Sequence, residues 1–122
     1  MRKQIDVPEA DLQNLDVLWP DGLGERYDAY RLIAPPQVAL AAALVETAVH
    51  LQGLGREVVQ AGPLLLGDLC LARASRLLSD AGDQALQVSF ASAVEEVSAA
   101  AAAGLEFRPV RDLLLKAITT GR

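Results

Sequence analysis

The chain predicts an all-α fold: an antiparallel bundle of about five to six helices forming a single domain over 1–122. Three observations carry this. Hydrophobic residues make up 52% of the chain and aromatics only 4%. The core is then Ala, Leu and Val, whereas strand-rich chains draw more on Ile, Thr, Tyr and Phe. Prolines and glycines fall where helices begin and end: Pro8, Pro36, Pro63 and Pro109 suit first turns, and Gly53, Gly82 and Gly104 suit left-handed caps. Apolar residues recur at three- and four-residue spacing, and no alternation of period two persists. A chain of 122 residues can bury a core without disulfide or metal staples.

Each element follows from its residues. "PEADLQNLDVL", about 8–18, places Leu12, Leu15 and Leu18 on one face, with Glu9 and Asp11 in the first turn where the helix dipole favours acids. "WPDGLG" then breaks the chain. "ERYDAYRLI" predicts a short helix over about 24–33, ended by Pro35-Pro36 because a residue before proline avoids the α region. The helix over about 36–52 carries a stripe of Val38, Ala42, Val45, Val49 and Gln52, widened by Leu40, Leu44 and Leu51, and so belongs at the centre. "GLGREVVQAG" reads as a loop, or a short helical turn over about 55–60. The next helix, about 63–79, stops at Gly82, and Asp83 N-caps its successor. That helix, about 84–103, aligns Leu86, Phe90, Ala93, Val97 and Ala101, and its alanines allow another backbone or a thin ligand to come close. "PVRDLLLKAI" forms the last helix, about 109–119.

Composition excludes several function classes. The net charge of −5 argues against a nucleic-acid partner, which would need a basic stripe. Cys70 is the lone cysteine, so no internal disulfide is expected and a cytoplasmic setting is the default. The start has a basic tip but no apolar stretch behind it, so no signal peptide is expected. No uncharged apolar run reaches the roughly 18 residues of a membrane span. With one His and one Cys, a self-contained zinc site is not expected, and the phosphate-binding and dinucleotide fingerprints are absent. No catalytic residue and no metal ligand is assigned. His50, one turn after Glu46, is expected to bond it across the helix surface. Cys70 is expected to be a buried small hydrophobe, Trp19 a plug over the bundle end, and Glu95 and Glu96 a solvated face.

"PLLLGDLCLARASRLL" sets a glycine, an acid and two arginines into a helix that is otherwise apolar almost throughout. With "LAAALVE" before it and "SFASAVEEVSAA" after it, the stretch from Val38 to Ala101 resembles the N-terminal half of the trans-polyprenyl diphosphate synthases. In that family an Ala-rich helix with a glutamate precedes a helix opening on an apolar-Gly-Asp signature and continuing "LLARAS". Such a resemblance implies half of an isoprenoid synthase fold. The family's catalysis uses two aspartate-rich motifs that hold magnesium, since hard cations need clustered carboxylates. Where the first should lie this chain has "LGREV", with Arg56 and Glu57 in place of paired aspartates. The second would lie beyond residue 122, and the family's diphosphate clamps find no matching motif.

The same layout is similar to the short, non-catalytic subunit of heterodimeric hexaprenyl and heptaprenyl diphosphate synthases. This implies a helper without autonomous activity, and no cofactor bound by this chain alone. Its partner is a catalytic large subunit that carries Mg2+. The alternative is a stand-alone homodimeric interaction protein on the same scaffold. A helix apolar on nearly all sides has, in so small a protein, no room to bury both faces alone. The candidate subunit interface is therefore Leu66, Gly67, Asp68, Leu69, Cys70, Arg73, Arg76 and Leu77, with Phe90 and Val94 from the next helix. The resemblance also implies a tunnel that sets chain length, with Ala42, Val45, Val49, Ala93 and Val97 as candidate lining.

Overall fold

The computed structural model describes residues 15–52, 61–105 and 109–120. Among these residues the chain is helical with no strand. A 3-10 turn, Asp16–Leu18, runs into a π turn, Trp19–Leu23, and then into α1, Gly24–Arg31. α2 spans Pro36–Leu51, α3 Ala61–Asp80, α4 Gln84–Ala102 and α5 Val110–Thr120. The all-α prediction holds, and the five α-helices lie within two residues of the starts and ends read from the prolines, glycines and apolar spacing. Residues 53–60, expected to be a loop or a short helical turn and including Gly53, Arg56 and Glu57, lie outside the described residues, as do residues 1–14, where the first helix is expected to begin.

Residues 16–18 wind as a 3-10 turn rather than the end of an α-helix, and "WPDGLG" interrupts the helical path at Asp21 and Gly22, as its residues predict. The kink sits at Gly22, whose φ of 119° is open to glycine and strained for other residues. At Gly24 an added Cβ would come within 2.8 Å of the Trp19 indole nitrogen, so this glycine lets the ring lie against the backbone. Tyr27 also packs on that ring, at 5.4 Å between centroids.

α2 is the central helix. Every residue from Val38 to Val45 is buried, with Thr47 and Ala48 beyond them. Alanines at 39, 41, 42, 43 and 48 leave its cylinder narrow, so neighbours come close on several sides. Pro36 occupies its first helical position and Pro35 is extended, with its carbonyl accepting from the Ala39 N–H at 2.9 Å. α3 packs along α2 more extensively than any other pair of elements. α5 lies mainly on α4 and also reaches α2, burying Val110, Leu114 and Ile118.

Two glycines close helices by one device. Gly82 (φ 73°) and Gly104 (φ 70°) are left-handed. At the first, the Asp83 N–H reaches the Leu78 carbonyl at 2.9 Å and the Gly82 N–H reaches Ser79 at 3.0 Å. At the second, Leu105 reaches Ala100 at 2.9 Å and Gly104 reaches Ala101 at 3.1 Å. Both are Schellman closures, which satisfy carbonyls a helix end leaves without partners. The Asp83 carboxylate then accepts from the Leu86 N–H at 3.2 Å and caps α4. One three-residue turn thus ends α3, starts α4 and reverses the chain.

Candidate functional site

α3 and α4 leave their shared turn as neighbours but hold each other loosely, because α3 leans on α2. Near the turn, Gln87 Nε2 donates to the Ser75 carbonyl and to its Oγ at 3.1 and 3.0 Å. Beyond that tie the helices enclose a half-open apolar groove of about 250 Å³. Leu71, Ala74 and Leu78 form one wall, Phe90, Ala91 and Val94 the other, and Val45 of α2 lies at the base. Dispersion contacts and water exclusion are what such a surface offers, so it suits an apolar side chain or chain segment.

The groove draws on both groups of sequence candidates. Phe90 and Val94 from the interface set and Val45 from the tunnel set line it together. The others lie elsewhere. Ala42, Ala93 and Val97 are buried in the chain's own core, and Val49 is half-buried against it. Gly67, Cys70 and Leu77 form the inward stripe of α3, so their burial needs no second subunit. Leu66 and Leu69 are half-buried on the flanks of that stripe, and Arg73 is also intermediate. Asp68 and Arg76 face outward. Part of the expectation that α3 must share its apolar surface is thereby met inside the chain: α2 takes the stripe, while Leu65 stays 69% exposed.

Gly67 and Asp68 have a structural account. A Cβ at position 67 would lie 3.0 Å from Gln52 Cγ and 3.5 Å from the Ala48 carbonyl oxygen, so the glycine admits α2. Gln52 Nε2 in turn donates to Asp68 Oδ1 at 3.2 Å. Arg76 pairs with Asp80 across one helical turn at 3.9 Å, an exposed contact of little energetic weight. Cys70 is fully enclosed, and burial pushes its thiol up to about 11, against an opposing effect from the Arg73 charge. Thiolate chemistry is suppressed there.

The largest polar cluster among the described residues involves no residue of the candidate sets. Glu46, with its side chain 16% exposed, receives Arg111 Nε at 2.9 Å, Arg111 Nη2 at 3.1 Å, the Tyr30 hydroxyl at 2.8 Å and Arg26 Nε at 3.3 Å. Arg26 also donates to Thr47 Oγ1 at 3.2 Å, and Arg111 reaches Glu25 at 3.3 Å. The expected bond to His50 is replaced: the carboxylate turns to α1 and α5, because two cations and a hydroxyl outcompete an exposed imidazole. Burial, reinforced by the Glu46 charge, holds the Tyr30 hydroxyl well above the usual tyrosine range. The Arg111 guanidinium lies 5.8 Å from the Tyr30 ring centroid. A lone acid inside an Ala/Leu helix was the available signal, since a half-buried carboxylate requires partners. Arg26 and Tyr30, four residues apart, share the α1 face that meets it. Both charges of each sign are engaged, so the cluster joins three helices rather than presenting a reactive group.

Among the described residues no three of His, Cys, Asp and Glu gather as metal ligands would, and no helix is long and apolar enough to cross a membrane. Glu95 and Glu96 are exposed, as expected of a solvated face. Compared with protein-family models, curated proteins and solved structures, the chain matches none.

Proposed function

We propose that this chain is a non-catalytic helical subunit that docks on the magnesium-dependent catalytic subunit of a polyprenyl diphosphate synthase and helps set prenyl chain length. The carrying observation is the groove between α3 and α4. Its walls are formed by the segments bearing the resemblance: Leu71, Ala74 and Leu78 of "LLLGDLCLARASRLL", and Phe90, Ala91 and Val94 of "SFASAVEEV". An apolar surface between two small-residue helices suits a partner's side chains. No member of the Glu46 cluster lines it, so docking there need not disturb the polar joint of the bundle.

Co-expression with candidate large subunits, purification through a tag on this chain and light scattering test the proposal. The expected result is a 1:1 complex that makes a long prenyl diphosphate when neither chain does so alone. Ala91 is exposed at the groove rim, so Ala91→Glu is expected to fold and to abolish the complex. A self-dimer that ignores every such partner would replace this reading with the stand-alone interaction protein. A complex unaffected by Ala91→Glu would remove the groove from it.

A further inference from the structure

The α3–α4 groove is not uniformly apolar. Leu71, Leu78, Phe90 and Val94 line its walls, and Ser75, exposed, and Gln87, half-buried, line it as well. Gln87 Nε2 donates to the Ser75 carbonyl and to its Oγ, at 3.1 and 3.0 Å, which holds the two side chains together. That tie leaves a complementary pair of polar groups. Ser75 Oγ is an acceptor in it and keeps its own proton to donate, and the Gln87 carbonyl oxygen accepts from no other described residue. One donor and one acceptor therefore stand together where the apolar walls meet solvent.

Charge and size select the occupant. No Asp, Glu, Lys, Arg or His lines the groove, and Arg76, next to Ser75 along α3, is engaged with Asp80. A carboxylate, phosphate or ammonium head would lose water there with no counter-ion to replace it. A hydroxyl both donates and accepts, which matches what Ser75 and Gln87 offer. An apolar cavity of about 150 Å³ takes up one benzene. By that measure the groove's volume of about 250 Å³ suits an alkyl chain of about ten carbons. We propose that the groove binds a single-chain alcohol, with its alkyl chain between α3 and α4 and its hydroxyl exchanging hydrogen bonds with Ser75 and Gln87. Such a ligand binds the chain alone, and it excludes a partner's side chains from the same surface.

The probe is 1-decanol, kept below its solubility limit and titrated into the chain without a partner, with binding read from backbone amide NMR shifts. The expected result is one saturable site whose shifts centre on Ser75, Gln87 and Ala91. 1-Octanol should bind about tenfold more weakly, for want of two methylenes. Decanoate and decylammonium should bind weaker by about tenfold or more. Ala91→Leu fills the groove from its exposed rim and should abolish binding. Gln87→Met keeps the bulk but removes the amide, and should weaken 1-decanol about three- to tenfold. Glu95→Gln, outside the groove, should change nothing, with far-UV circular dichroism confirming that all three variants fold. No saturable shift, equal affinity for charged and uncharged heads, or binding undiminished by Ala91→Leu or by Gln87→Met would overturn the proposal. So would a dimer by light scattering that takes up no alcohol, which would place a second copy of the chain in the groove. The titration needs no large subunit, so a failed co-expression leaves its result standing, and a failed titration leaves the partner complex to its own test.

Discussion

Replacing Glu46 by Gln should cost this protein more stability than any surface substitution, and the size follows from its contacts. Gln keeps the shape of the side chain and can still accept from the Tyr30 hydroxyl, 2.8 Å from Glu46 Oε1. It loses the negative charge facing Arg26 and Arg111, whose side chains are 15% and 33% exposed. A well-buried charged hydrogen bond contributes about 1.5–3 kcal/mol. The Arg26 contact belongs near the lower end of that range, and the Arg111 contact, a third exposed, is discounted by solvent to about 1 kcal/mol. The expected loss is about 2–3 kcal/mol, or roughly 10 °C in midpoint for a chain of this size. Thermal and urea unfolding followed by far-UV circular dichroism measure it. Arg111→Met should cost about 1 kcal/mol, and the double variant should show coupling, because both changes remove one contact. A midpoint within about 2 °C of the parent, or purely additive costs, would refute the inference that Glu46 joins α1, α2 and α5.

Gly67→Ala should change stability by less than about 1 kcal/mol, since the gain in helix propensity offsets a contact that the flexible Gln52 side chain can relieve. Gly67→Val should cost about 2–3 kcal/mol in urea titrations, because its branches crowd α2; a Val variant as stable as the parent would mean that α3 does not approach α2 this closely. Stability should fall on the alkaline side. The Cys70 thiol is pushed up to about 11 when folded, so the unfolded chain releases that proton first, and stability present near pH 8 is lost as pH rises towards 11. Tyr30, raised by burial and Glu46, has the same sign from about pH 10 upward, the ordinary tyrosine value. Cys70→Ala should flatten the lower part of this decline and Tyr30→Phe the upper part, read from urea midpoints between pH 8 and 11, and a flat parent profile would contradict the burial of both groups. Asp83→Ala should cost about 1 kcal/mol by removing the α4 cap; no loss would mean that the Asp83 carboxylate contributes nothing to the turn.

Legibility followed the range of the interaction. Pro36, Gly82, Asp83 and Gly104 act on bonds within a few residues of themselves, so their roles were readable along the chain, and the observed caps use them as expected. The apolar spacing of 36–52 announced a central helix because few of its positions are polar. "WPDGLG" is legible for the same reason: Gly22 takes a positive φ that breaks the helical path, while the seat of Trp19 against Gly24 depends on how the chain resumes after the break and no local rule gives it. The groove is half legible: Phe90, Val94 and Val45 stand out in the sequence, but in two separate groups, since nothing local places α2 at the base of the gap between α3 and α4.

The sequence by itself determined the helices, their ends and the burial of α2, because backbone closure and apolar periodicity are local properties of residue type. Only the tertiary structure decided which faces remain open. Gly67 draws α3 onto α2, and that attachment both covers Cys70 and Leu77 and leaves α3 parted from α4. The partners of Glu46 were decided in the same way. Arg111 lies 65 residues along the chain, and no spacing rule spans that distance; the carboxylate finds it because α5, with Val110, Leu114 and Ile118 buried, brings the guanidinium to the one acid on the central helix.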